Sequence, residues 1–349
     1  MPLVSVVMPV HNAAATVARA VASIQGQTLT DWELLAVDDG STDATQKILF
    51  ELAASDPRIR VLDTARSGIV GALNAGLAAA VAPLVARMDA DDESHPARLA
   101  EQVAFLKANP GVGVAGCLVE FGGDRRTQAG YALHVDWLNT LVTSEQIALN
   151  RFVEAPLAHP SVMFRRALAE DYGGYREGDF PEDYELWLRW LDAEVGMAKV
   201  PKPLIVWHDS PGRLSRTDAR YAPEAFFRLK AHWLAEWLKH EVEPTRRIFV
   251  WGAGRPTRQR AAHLAAYGIA IAGYIDVDAK KTGRPVGGVP VIAPAGLPIP
   301  SGGAADAGVP PVDTPFVLGY VASRGARDLI RLELRRRGYV EGRDFLMCA

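Results

Sequence analysis

From residue 3 to residue 88 the chain repeats one pattern: a short β-branched apolar run, a polar break, then a segment with helical spacing. Residues 3–8, 33–37, 59–62 and 84–88 are the strand-like runs. The helix-like segments are the one reaching Gln25 with Val17, Val21 and Ile24 on one face, residues 43–53, and residues 70–80. Such alternation with short connections predicts an α/β fold, a mostly parallel sheet flanked by helices. In sheets of this kind ligands sit at the carboxyl ends of the strands, so polar residues there are the first candidates for a site.

A chain of 349 residues accommodates two domains. Its net charge of −3 gives no global attraction to nucleic acid. Cys117 and Cys348 are the only cysteines, too few for a disulfide framework or a zinc site, which fits a reducing cytoplasm. The opening MPLVSVVMPVHN has neither a basic region nor a small-residue cleavage site, so it does not read as a secretion signal. Residues 67–86 are uncharged and long enough to span a bilayer. Their glycines, alanines, Asn74 and Pro83 instead predict a small-residue helix, a turn and a buried strand, and no membrane span is expected.

Residues 225–241 read as a helix with Phe226, Leu229, Trp233 and Trp237 on one stripe, for packing between domains or for membrane contact. After Pro244 the pattern restarts: a strand at 247–251, Gly252-Ala253-Gly254, a helix, and residues 269–275. We therefore expect a first domain over 1–222, a connecting helix over 223–243 and a smaller Rossmann-like α/β domain over 244–349, with a long loop at 293–315.

Five clusters at strand ends or helix starts carry chemistry. In Met88-Asp89-Ala90-Asp91-Asp92, three carboxylates in four positions repel one another unless a cation neutralises them. Side chains alternate along extended backbone, so Asp89 and Asp91 point to one side, where magnesium or manganese would bridge them to a diphosphate. An acidic turn before a helix near Pro96 explains the same residues. In Val37-Asp38-Asp39-Gly40-Ser41-Thr42-Asp43 a strand-end acid suits a base or ribose edge, while Ser41 or Thr42 suits a helix cap. Pro9, His11 and Asn12 end the first strand and either frame a nucleotide or form a turn. Glu182 and Asp183 follow Pro181, where acids favour the positive end of a helix dipole or where Asp183 serves as a general base. His208 is a candidate metal or phosphate ligand, and Arg213 and Arg216 are candidate diphosphate partners.

The order SVVMPVHN, LLAVDDGSTDAT, ALNAGLAAA, VARMDADDESHPARL, then HPSVMFRR and PEDYELWLRW, closely resembles the family 2 glycosyltransferases of the GT-A fold over about residues 3 to 216. The resemblance implies a nucleotide-sugar donor, UDP-linked by family preference, held by Pro9, His11, Asn12, Asp39, Gly68 and Asp89. It implies a divalent cation on Asp91 and Asp89 with His208 in support, Asp183 as catalytic base, and Glu182, Trp187 and His159 on the acceptor side. It further implies inversion at the transferred sugar and a saccharide or lipid-linked saccharide acceptor of cell-surface polysaccharide. His11 stands where that family usually has an aromatic residue, and Ala13 where it often has a polar one.

Residues 247–292 resemble the N-terminal Rossmann-like domain of bacterial sugar O-acyltransferases. Gly252 and Gly254 match a dinucleotide fingerprint, but Thr257 replaces its third glycine, which favours a structural or assembly role. Two other classes fit parts of the chain: a nucleotide-sugar-binding regulator without catalysis, and an NAD-linked sugar-modifying enzyme acting through this second domain. Arg324, Arg327, Arg331 and Arg335 form a stripe on the last helix, read either as a peripheral contact to anionic membrane or as a solvated face.

Overall fold

The computed structural model describes residues 1–209, 213–300 and 314–349. They form two compact units: Met1–Ala148 with Ala155–Tyr221, and Leu149–Glu154 with Ala222–Ala349.

The chain opens with β1 (Val4–Val10), α1 (Val17–Gln25), β2 (Trp32–Asp39), α2 (Thr45–Ser55), β3 (Ile59–Thr64), α3 (Gly68–Ala79) and β4 (Leu84–Arg87), the alternation its sequence predicts. There follow β5 (Glu93–Ser94), α4 (Arg98–Ala108), β6 (Val112–Phe121), α5 (Ala129–Thr140), α6 (Ser144–Asn150), β7 (Met163–Arg165), α7 (Ala167–Asp171), α8 (Glu182–Asp192), β8 (Gly196–Trp207) and α9 (Leu214–Thr217). The strands form one sheet in the order β3-β2-β1-β4-β7-β6-β8-β5. β1 to β4 are parallel, and β7 runs antiparallel to β4 and β6.

Every residue of β1 and β2 is buried, which is why these strands read as unbroken apolar runs and not as alternation. Away from the acids that end β2, their polar residues Ser5 and Glu33 satisfy each other. The Ser5 hydroxyl donates to Glu33 (2.6 Å), which also accepts from Arg60 (2.8 Å) and the Val81 amide (3.1 Å). α3 explains the uncharged stretch after Ser67. A Cβ at Gly76 would lie 2.4 Å from Val7 Cγ1, so small residues let the helix lie close against the sheet. Among the described residues no helix is long and apolar enough to cross a membrane. β1 has β2 on one side and β4 on the other, so the strand order reverses there, and in such sheets the crevice that takes ligands lies outside the carboxyl ends of these strands.

The second unit contains α10 (Pro223–Glu241), β9 (Ile248–Trp251), α11 (Arg255–Ala262), β10 (Ile271–Ile275), β11 (Val291–Ile292), β12 (Phe316–Gly319), α12 (Ala326–Arg336) and β13 (Phe345–Met347). Its sheet has the order β11-β10-β9-β12-β13 with every pair parallel. Residues 223–241, expected as a connection, belong to this unit, and the boundary expected near residue 243 falls between Tyr221 and Ala222. The reason is the buried face of α10, which carries Leu229, Leu234 and Leu238, and its buried Lys230. That ammonium donates to the carbonyls of Val153 and Cys348, at 3.1 Å each. Of the loop expected at 293–315, residues 301–313 lie outside the described residues.

Candidate active site

The carboxyl end of β4 organises the crevice. Arg87, its last residue, is buried and ion-paired with Asp89. Beyond it, Asp89, Asp91 and Asp92 present carboxylate oxygens within 4.8 Å of one another. Asp92 is fully buried; its Oδ1 accepts the His208 amide (2.8 Å) and its Oδ2 has no hydrogen-bond partner. Burial first, then the charge of Asp89, raises Asp91 above the ordinary carboxylate range, against the pull of Arg213 and Arg87. Burial and the charges of Asp89 and Asp91 raise Asp92 well above it. A set of converging oxygens, one of them buried and unpartnered, fits a hard divalent cation. The sequence placed Asp89 and Asp91 on one side; the turn after β4 brings in Asp92 as well.

His208 is a different matter. Its ring Nε2 lies 2.8 Å from Glu93 and is not among the converging ligands, so it reaches the cluster through its backbone amide. Glu93 offers the imidazole a carboxylate of its own, which is why the ring turns from the trio. Arg213 stands beside the trio. Its guanidinium lies over the Trp207 ring (4.8 Å) and the Tyr131 ring (5.3 Å), and donates to the Tyr131 hydroxyl (2.7 Å) and the His208 carbonyl (3.1 Å). Arg216 pairs instead with Asp209.

On the β1–β2 side, the loops hold one another. The Asp39 carboxylate accepts the Ser67 amide (2.6 Å), the Ser67 hydroxyl (3.1 Å) and the Gly68 amide (3.0 Å), so it closes the amino end of α3. Gly68 sits at φ +74°, a conformation only glycine takes without strain. The Asn12 side-chain oxygen accepts the Thr42 amide (2.8 Å), and the Asn12 amide donates to the Ser41 hydroxyl (2.9 Å). His11 Nδ1 lies 2.9 Å from the Asp39 carbonyl. Pro9 is buried near the end of β1 opposite Val37.

At the start of α8, Asp183 is half-buried and accepts the Tyr184 amide (2.7 Å). Burial, then the neighbouring charge of Glu182, pushes its carboxyl up to about 7. Glu182 is buried and accepts the Tyr221 hydroxyl (2.5 Å); burial raises it too, against the charge of Arg87. The other two residues expected on the acceptor side are core residues. Trp187 is fully buried, its ring edge-on to Trp190 (5.9 Å) and His159 (6.0 Å). His159 is buried against the Tyr175 hydroxyl (2.7 Å), and burial holds its imidazole well below the ordinary range. α8 is enclosed around most of its circumference, so one turn beyond Asp183 the helix is already inside the core. Arg87 and Tyr221 are the site residues that sequence reasoning missed, and Asp92 was read as part of the acidic cluster without a ligand role. The one available signal was a charge, Arg87, at the end of an otherwise apolar strand.

A model of the family described as glycosyl transferase family 2 matches residues 5–173. The putative glycosyltransferase EpsE of Bacillus subtilis (strain 168) is 32% identical over 200 residues, covering 55% of this chain and 67% of EpsE. The O-antigen biosynthesis glycosyltransferase WbnJ of Escherichia coli is 29% identical over 197 residues, covering 55% of this chain and 73% of WbnJ. Of some other curated relatives the chain spans less than two thirds, 26% in one case and 59% in another. The crystal structure of S. aureus TarS 1-349 in complex with UDP-GlcNAc matches 76% of this chain and 71% of that one at 20% identity and a TM-score of 0.51, a likeness of fold.

Proposed function

The chain belongs to the family 2 glycosyltransferases, and on that footing we propose that it transfers a sugar, with inversion, from a UDP-type nucleotide-sugar donor to an acceptor hydroxyl. The observation that carries this reading is the pairing of an oxygen-only carboxylate trio at the end of β4 with a half-buried acid, Asp183, held near neutrality. The sugar passes through an oxocarbenium-like state while negative charge grows on the departing diphosphate. Asp89, Asp91 and Asp92 would hold a magnesium or manganese ion, which when bound supplies positive charge to that leaving group. Arg213, stacked on Trp207 and Tyr131, adds a fixed cation beside the trio. Asp39, His11 and Asn12 set the two loops against which the nucleotide lies.

Asp183 takes the acceptor's proton as its oxygen attacks the face opposite the diphosphate. An acid titrating near neutrality is close to ideal for this, since it is ionised at working pH and still basic. The Tyr221 hydroxyl on Glu182 keeps that neighbour in place. The naming of WbnJ for O-antigen biosynthesis supports an acceptor of cell-surface polysaccharide, and we assign the reaction to the cytoplasm, on a saccharide or lipid-linked saccharide. The test is a panel of UDP- and GDP-sugars with manganese, read by thermal shift and by nucleotide release. A panel with neither a metal-dependent rise in melting temperature nor nucleotide release refutes the reading.

A further inference from the structure

The second unit contains a cavity of about 850 Å³ beside the carboxyl ends of β9, β10 and β12, within the usual range for small-molecule sites. β9 has β10 on one side and β12 on the other, so the cavity lies where the strand order reverses, the place where open α/β sheets bind ligands.

Its walls divide by chemistry. On one side is the turn Gly252-Ala253-Gly254, which leads from β9 into α11. Gly252 has φ +112°, and a Cβ there would lie 2.8 Å from Val321 Cγ2 and 2.9 Å from Thr257 Cγ2. Asp276 pins this turn: its Oδ2 accepts the Ala253 amide (2.9 Å) and the Lys281 ammonium (3.1 Å). Thr257, which breaks the glycine fingerprint, is buried; its hydroxyl donates to the Tyr320 carbonyl (3.3 Å) and its methyl lies beside Gly252. Thr257 therefore fills the space beside Gly252 and ties the first turn of α11 to the end of β12.

Four charged side chains line the cavity, and three have ionic partners. Lys281 pairs with Asp276, and Glu333 with Arg337 (2.7 Å). Arg260 forms no ion pair among the described residues; its guanidinium lies 4.5 Å from the centre of the Phe227 ring. Most of the remaining lining is apolar and includes Trp251, Val321, Ile330 and Leu329, the last 68% exposed. A ligand matched to this cavity has an anionic end and a flat apolar body.

We propose that this cavity binds a nucleoside phosphate, its phosphate toward the Gly252–Gly254 turn and Arg260 and its base against the apolar wall. The site is separate from the carboxylate trio and stands whether or not the transferase reading does. The experiment is calorimetric titration of the full chain with ADP, UDP and adenosine in EDTA. To silence the first unit it is repeated in Asp39→Ala/Asp91→Asn, and to alter the cavity in Arg260→Gln and Ala326→Trp, each checked for folding by circular dichroism. Expected is metal-independent binding of at least one diphosphate that survives in the first-unit variant. Arg260→Gln should weaken it about 10- to 100-fold, the worth of a charge-assisted hydrogen bond, and Ala326→Trp should block it. Absence of nucleotide binding in the first-unit variant overturns the proposal. So does equal affinity for adenosine, which would mean a purely apolar site, or binding indifferent to both cavity changes.

Discussion

Replacing Asp183 by asparagine should make the protein more stable and less active together. An aspartate whose proton is held up to about 7 in the fold, but leaves near about 3.9 in the unfolded chain, binds more protons folded than unfolded between those values. Stability therefore falls as pH rises through that window, and the loss is complete above the folded value. For this shift the burden is about 1 to 2 kcal/mol near pH 5 and about 4 kcal/mol near pH 8. These are ceilings, since local relaxation and water entry lower both. The amide that replaces the carboxyl has nothing to ionise, so the variant gains most at high pH and little in acid. Urea unfolding of parent and variant near pH 5 and pH 8 measures the difference. Meanwhile sugar transfer should fall by about 10²–10⁴-fold, and the parent's rate should climb with pH to a plateau with its midpoint near 7. A stability difference that is the same at both pH values refutes the ionisation argument; near-normal transfer by the variant refutes the base.

Three further outcomes follow from the same geometry. Asp91→Asn should abolish manganese-dependent donor binding while raising the metal-free melting temperature, because like charges 4.8 Å apart repel by about 3–4 kcal/mol at an effective dielectric of about 20; donor affinity with manganese, measured by calorimetry, decides it. Trp187→Phe should lower stability by about 1–3 kcal/mol through a core void and leave the acceptor KM unchanged; a raised KM in a fully folded variant would return Trp187 to the acceptor side. The intact chain should fail to sediment with anionic vesicles at low salt, because Arg331 and Arg335 both donate to Glu341 (2.8 Å each) and Arg327 to the Ala349 carbonyl (3.1 Å); salt-sensitive binding lost on changing these arginines to glutamine would restore the membrane reading.

Much of this was legible in the sequence because buried parallel strands leave apolar runs and their ends leave acids. The strand and helix segments up to residue 88 emerged within a few residues, since β1, β2 and β4 are enclosed on both faces. What a linear reading lacks is the partner. It can see that His159 and Trp187 fall in the expected motifs, but not that Tyr175 takes the imidazole or that α8 is enclosed. The arginine stripe looked free because Glu341, which takes two of its members, lies beyond the helix. Likewise α10 looked like a connection because residues 149–154, which group with it, come far earlier in the chain.

Arg87 shows most clearly what residue types alone conceal. A charge closing a four-residue apolar strand reads as the place where burial ends, yet this guanidinium is inside the protein. A buried cation is tolerable only if it is paired, and Asp89 provides the pair. Its field also reaches Asp91 beyond β4 and Glu182 and Asp183 at the start of α8, pulling all three acids down against burial. The two halves of the site therefore share one counter-charge. A carboxylate trio at the end of β4 and an acid at the start of α8 are distant in sequence and each has an ordinary explanation as a turn or a helix cap. One buried arginine bears on both, more weakly than burial and, at Asp91, more weakly than Arg213, and that shared charge links what would otherwise be two separate acidic turns.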